Sequence, residues 1–132
     1  MATIDVQSEP ALDLTTFVVQ GVLSVSEILQ AIQLEYTQTP TSNVLWDLTG
    51  GSLDPEISAD DFRRVAAAAK GIRLDVPGAK TAYVGSEDLA FGLLRMYCTL
   101  AEEAGIHVQY EVFRSRPAAL GWLAGGGRRD LE

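Results

Sequence analysis

The chain predicts an α/β fold: a single-layer mixed, mostly parallel sheet of four to five strands with about four helices. Three observations carry that expectation. Segments of strand character alternate with segments of helical period, in the order strand, strand, helix, strand, helix, strand, helix, strand, helix. The later connections are long enough to hold a helix, which lets successive strands run parallel through right-handed crossovers. Finally, Asn43 to Leu48, NVLWDL, is apolar on both sides up to Asp47, as expected of an interior strand covered on its faces.

The elements follow in order. Ile4 and Val6 begin a weak alternation that ends at Glu9 and Pro10, and LTTFVVQ, Leu14 to Gln20, is rich in β-branched and aromatic residues. The short connection makes these two strands antiparallel, with Gly21 ending the second. Ser24 followed by Glu27 is a capping-box signature, and Val25, Leu29, Ile32 and Tyr36 then form a helical stripe that runs out near Gln38 and Pro40. After the strand at Asn43 to Leu48, Thr49, Gly50, Gly51 and Ser52 read as a flexible turn. Ser58 with Asp61 repeats the capping signature, Phe62, Val65, Ala66 and Ala69 supply an inward stripe, and Lys70 with Gly71 closes that helix. Residues 72–78 form a connector with Pro77 and Gly78 as turn residues.

Lys80 to Gly105 is the stretch around which the rest should pack. Thr81 to Val84 is a buried strand, Gly85 breaks it, and Ser86 stands where an N-cap belongs, with Glu87 and Asp88 in the positive field of the helix start. At about 100° per residue, Leu89, Leu93, Met96 and Leu100 share one flank, with Ala90, Leu94, Tyr97 and Ala101 beside them. The first set is expected to form the core. Ile106, Val108, Tyr110 and Val112 alternate with polar residues as an edge strand would. Ser115 and Pro117 then open a last helix bearing Leu120, Trp122 and Leu123.

Composition narrows the function classes. A chain of 132 residues, 47% hydrophobic, suits one domain over residues 1–124 with a mobile tail over 125–132. No apolar run approaches the roughly 18 residues of a membrane span, and the first residues lack a signal-peptide pattern. The expectation is a cytoplasmic protein without integral membrane association. Ten basic against 18 acidic residues give a net charge of −8, which disfavours binding to nucleic acid. The single cysteine, Cys98, permits no internal disulfide and reads as a packing residue.

Two places beyond the carboxyl ends of the strands could hold a ligand. Asp47, Thr49 and Ser52, with Gly50 and Gly51, offer a carboxylate and two hydroxyls to a small polar ligand or phosphoryl group, although an ordinary flexible strand-to-helix loop is the plainer reading. The stretch lacks the lysine and spacing of a phosphate-binding P-loop. Gly85 to Asp88 has helix-start N–H groups, but Glu87 and Asp88 already occupy that field. His107 stands alone on an edge strand, and Asp54, Glu56, Asp60 and Asp61 fit a solvated helix start. With no GxSxG elbow and no cysteine or histidine cluster, no enzyme activity, cofactor or metal is expected.

Gly92 is the odd residue, because glycine inside a helix costs about 1 kcal/mol relative to alanine. Something is expected to pack close to it. Phe91, Leu94, Arg95 and Cys98 surround it in a broad apolar arc. Either a second copy docks there as a homodimer, or a small apolar ligand or lipid inserts between the 86–103 helix and the sheet.

Three segments, NVLWDLTGG, AYVGSEDLAFGLLRMYCTLAEEAG and VFRSRPAALGWL, resemble the SpoIIAA-like group, relatives of the STAS domains that include bacterial anti-sigma factor antagonists. The resemblance spans about residues 16 to 123. It implies a mixed sheet with helices, a role in association with a regulatory protein partner, and no catalysis. In the antagonists a strand ending in Asp-Leu leads to an Asp-Ser-Ser-Gly helix start whose serine is phosphorylated. Here Asp47 and Leu48 match, whereas the helix start reads Glu56, Ile57, Ser58, Ala59, which leaves Ser52 and Ser58 as the residues for a phosphoserine switch. Some members of the wider group are described as similar to lipid-binding domains, which bears on the apolar-ligand alternative.

Overall fold

β1 (Ala2–Glu9) and β2 (Leu14–Leu23) pair antiparallel across a 3-10 turn at Pro10–Leu12. Proline opens that turn with its fixed φ, and Asp13 closes it in the left-handed region at φ 52°, donating its N–H to the Pro10 carbonyl at 3.1 Å. β3 (Asn43–Leu53), β4 (Lys80–Val84) and β5 (Gln109–Phe113) follow parallel to β2, giving a five-stranded sheet in the order β1-β2-β3-β4-β5. The computed structural model describes residues 2–38, 41–73, 78–103 and 109–125. The expectations for Ile106, His107 and the tail beyond Gly125 lie outside the described residues.

Three helices, α1 (Val25–Gln38), α2 (Ala59–Arg73) and α3 (Asp88–Glu103), carry the crossovers over one face of the sheet. The fourth, α4 (Arg116–Leu123), lies on the opposite face. Strand alternation sorts the core accordingly. Phe17, Val19, Val44, Trp46, Leu48 and Tyr83 point to the three helices, while Leu14, Leu45, Ala82 and Val84 point to α4. On the helix side Phe17 and Trp46, register partners, stack with ring centroids 4.3 Å apart. Tyr97 of α3 meets Phe62, Tyr83 and Tyr110 edge-on at 5.6, 5.7 and 6.1 Å.

Both capping boxes form. Glu27 accepts from the Ser24 N–H at 3.0 Å while the Ser24 hydroxyl accepts from the Glu27 N–H at 3.3 Å; Ser58 and Asp61 reciprocate at 3.1 Å each way. The start of α3 differs. Its first turn closes from the Phe91 N–H to the Glu87 carbonyl, so Glu87 and not Ser86 stands at the cap position.

Glycines read as stops are in fact bends. β2 runs through Gly21, which has φ 87°, and β3 runs through Gly50 and Gly51, so Thr49 to Ser52 is strand and not a flexible turn. The reason is a register shift between Val18 and Gln20 that brings Gly21 opposite Gly51. A Cβ on Gly51 would lie 2.7 Å from the Gly21 carbonyl oxygen, closer than any side chain tolerates. α2 likewise continues past Gly71 to Arg73.

The phase of α3 is also corrected. Its buried residues are Ala90, Leu94, Tyr97, Cys98 and Ala101, whereas Leu89 is 55% and Met96 38% exposed, with Leu93 and Leu100 half-buried. Gly85 decides this: a Cβ there would lie 3.0 Å from the Phe91 nitrogen and 3.1 Å from Leu94 Cδ1, so the helix start presses onto bare backbone. The small Ala90 and Ala101 then face the sheet.

Candidate functional site

Of the polar quartet Asp47, Thr49, Ser52 and Ser58, only the first two come together. Asp47 is 5% exposed and pairs with Val84, which places it on the α4 side of the sheet. Its carboxylate accepts from the Thr49 N–H at 2.9 Å and from the Thr49 hydroxyl, and faces the Arg116 guanidinium at 3.4 Å. A buried carboxylate is costly unless paired and hydrogen-bonded, and this one is both. Arg116 also donates to Gln7 Oε1 at 3.4 Å, so one side chain ties α4 to β1 and β3. Ser52 is half-buried in β3 opposite Val22, and the exposed Ser58 caps α2. The Ser58 hydroxyl that a kinase would modify is the one already accepting from the Asp61 N–H.

The second set, Phe91, Gly92, Leu94, Arg95 and Cys98, is split by the true phase of α3. Leu94 and Cys98 are buried in the protein's own core at 3% and 8% exposure, so they are not surplus outer surface. Burial, with Glu102 and Glu111 nearby, pushes the Cys98 thiol up to about 12, leaving it protonated at neutral pH. Phe91 is half-buried, with the Arg114 guanidinium 4.0 Å from its ring centroid and Arg95 at 5.9 Å on the same ring. Arg114 is itself held by Asp88 at 2.8 Å. Nothing in the protein lies within 4 Å of a Cβ built on Gly92, so its side of the helix is open surface.

The solvent side of α3 carries Asp88, Arg95, Thr99 and Glu103, and one flank between it and the buried face is apolar, with Leu93 and Leu100 also packed against the core. Leu89, Leu93, Met96 and Leu100 recur at spacings of 4, 3 and 4, a seam over about three turns, with the open surface of Gly92 beside it. Inside, a cavity of about 40 Å³ lies between the three helices and the sheet, with Trp46, Phe62, Tyr83, Leu94, Tyr97 and Tyr110 in its wall. That volume admits a few water-sized groups. Among the described residues no group of three histidine, cysteine, aspartate or glutamate side chains comes together as a metal site, and no helix is long and apolar enough to cross a membrane.

No protein-family model and no curated protein sequence matches the chain. A solved structure does: the crystal structure of an uncharacterized protein of the DUF3478 family from Shewanella loihica PV-4, described as having a SpoIIAA-like fold. The two superpose with a TM-score of 0.53 over 92% of this chain and 93% of that one, at 18% sequence identity. This chain has a SpoIIAA-like fold. Within it, Asp47 lies inside β3, which runs on to Leu53, and its carboxylate turns toward α4, while Ser58 stands just before α2 and caps it.

Three residues that organise the SpoIIAA-like sheet escaped the sequence reading. They are Lys80, Arg114 and Arg116. Each acts on a partner far away in the chain, Arg116 on Asp47 across 69 positions and Lys80 on the carbonyls of Trp122 and Leu123 across 42 and 43. No local spacing carries such a signal.

Proposed function

We propose that this SpoIIAA-like protein is a noncatalytic cytoplasmic interaction domain with a regulatory role that pairs with a second copy of itself through the outer side of α3. The observation that supports it is the seam of Leu89, Leu93, Met96 and Leu100, more than half exposed at Leu89. Spacings of 4, 3 and 4 suit an antiparallel pairing about a two-fold axis, in which Leu89 would face the partner's Leu100, and Leu93 the partner's Met96. Gly92 allows the second backbone to come near. Light scattering at tens of micromolar is expected to give twice the chain mass, and Met96→Glu to return it to the monomer mass with unchanged far-UV dichroism. A wild-type monomer at hundreds of micromolar would refute the pairing.

A second reading, a small apolar ligand or lipid held between α3 and the sheet, is favoured by the aromatic-walled cavity. At about 40 Å³ it holds no acyl chain unless α3 moves outward. Native mass spectrometry of protein purified from cells tests it, since a retained ligand adds mass and bare chain mass counts against it.

A further inference from the structure

The face opposite α1 to α3 holds a separate recess. Between α4 and the turn at Pro10–Leu12 runs a slot of about 440 Å³, lined by Leu12, Leu14, Leu120 and Leu123 with Glu9, Ala11, Asn43, Arg116 and Ala124 around them. That volume falls in the range of small-molecule sites, and the lining, apolar with a few polar groups, is of the usual kind. Leu12 is 57% exposed on a turn that buries none of its residues, so nothing in the fold explains a leucine there. Asn43 steadies the turn, donating its Nδ2 to the Leu12 carbonyl at 3.3 Å and its N–H to the Asp13 carbonyl at 3.0 Å.

The polar groups of the slot are segregated. Arg116, Leu120, Leu123 and Ala124 recur along one side of α4, and from Arg116 to Leu123 the helix rises about 10 Å. Arg116 marks one end. Two of the five N–H donors of its guanidinium are engaged among the described residues, both at 3.4 Å, and its side chain is 35% exposed. Glu9 belongs to the other end, since it pairs with Leu14 in the hairpin whereas Gln7, which touches Arg116, pairs with Thr16. Glu9 is exposed and therefore screened by water.

We infer that this slot binds a medium-chain amphipathic anion, its carboxylate on Arg116 and its alkyl chain along Leu120, Leu123, Leu12 and Leu14. A carboxylate engages a guanidinium through paired charge-assisted hydrogen bonds, and Asp47 keeps Arg116 in place from behind. The apolar span matches an octanoate or decanoate chain better than a long lipid.

The test is a titration of the full chain with decanoate, followed by nitrogen-proton NMR correlation spectra, with decanol as the uncharged control. Decanoate is expected to shift the amides around Leu12, Leu14, Leu120 and Leu123 saturably, and decanol to bind about tenfold more weakly. Arg116→Gln should bring decanoate down to the decanol level, with Arg116→Lys intermediate. Leu12→Glu, at the exposed turn position, should weaken binding of both about tenfold with an unchanged melting temperature. Saturable shifts confined to the Tyr83, Tyr97 and Tyr110 region, no shifts at all, or full decanoate affinity in Arg116→Gln would each overturn the assignment.

Discussion

The two faces of the sheet are held by different physics. On the helix side, three helices and the aromatic residues Phe17, Trp46, Phe62, Tyr83 and Tyr97 form one continuous apolar core. On the other side, an eight-residue helix covers a small cluster of Leu14, Leu45, Ala82, Val84, Ala119, Trp122 and Leu123. What α4 lacks in area it makes up in directed contacts at both ends. Ser115 caps its start, Arg116 joins Asp47, and Lys80 donates to the Trp122 and Leu123 carbonyls at 3.3 and 3.2 Å with its ammonium 5.3 Å from the Trp122 ring centroid. The three larger helices also carry polar bonds at their starts, but extensive burial places them, whereas the short α4 is tied to the sheet at each terminus.

That contrast can be broken from either side. Phe17→Ala, which removes a fully buried ring from the Trp46 stack, should cost about 3–5 kcal/mol, and urea unfolding should show the loss as global. Lys80→Met should cost about 1–2 kcal/mol, and hydrogen exchange should rise in α4 while α1 to α3 stay protected. If exchange rose equally everywhere, the two faces would be one cooperative unit and the distinction would fall.

Smaller changes sharpen it. Gly92→Ala on the open outer side of α3 should stabilise the isolated chain by about 0.5–1 kcal/mol, read as a higher denaturation midpoint. It should also weaken self-association if the backbones approach there. The helix layer has its own pH dependence. The N–H groups of Ser24 and Ala2 hold Glu27 below its ordinary 4.5, and the Ser58 N–H followed by Arg64 holds Asp61 below its ordinary 3.8. Carboxylates held low contribute fully above their unfolded values and lose that contribution as pH falls through the folded ones. The starts of α1 and α2 should therefore be intact at neutral pH and fray below about pH 4, visible as faster exchange at Glu27 and Asp61.

The legible parts of this molecule were the local ones. Ser24 with Glu27 and Ser58 with Asp61 announce helix starts because a capping box closes within four residues, and NVLWDL announces an interior strand because both its faces are apolar. Two valid stripes existed on α3, Leu89-Leu93-Met96-Leu100 and Ala90-Leu94-Tyr97-Ala101. Periodicity alone favours the larger side chains. The choice was made by Gly85, whose missing Cβ lets Ala90 and Leu94 approach the strand end. Glycine in β2 and β3 misled for a related reason, since the same residue ends a strand or bends it, and only the facing strand decides. The Asp47–Arg116 pair was half legible, the carboxylate from its place after the apolar run NVLW and the guanidinium not at all.

Past Asp47, β3 loses β4 as a neighbour and continues with β2 alone, through Gly21 opposite Gly51 to Leu23 opposite Leu53. α1 begins just after Leu23, and the Asp54 N–H bonds the Leu23 carbonyl on the way to α2. Two helices thus hang from a narrow ribbon whose waist is one glycine against another. A single methyl group at residue 51 would act as a wedge there, tilting both helix starts at once and converting a local misfit into a change of the whole outer layer.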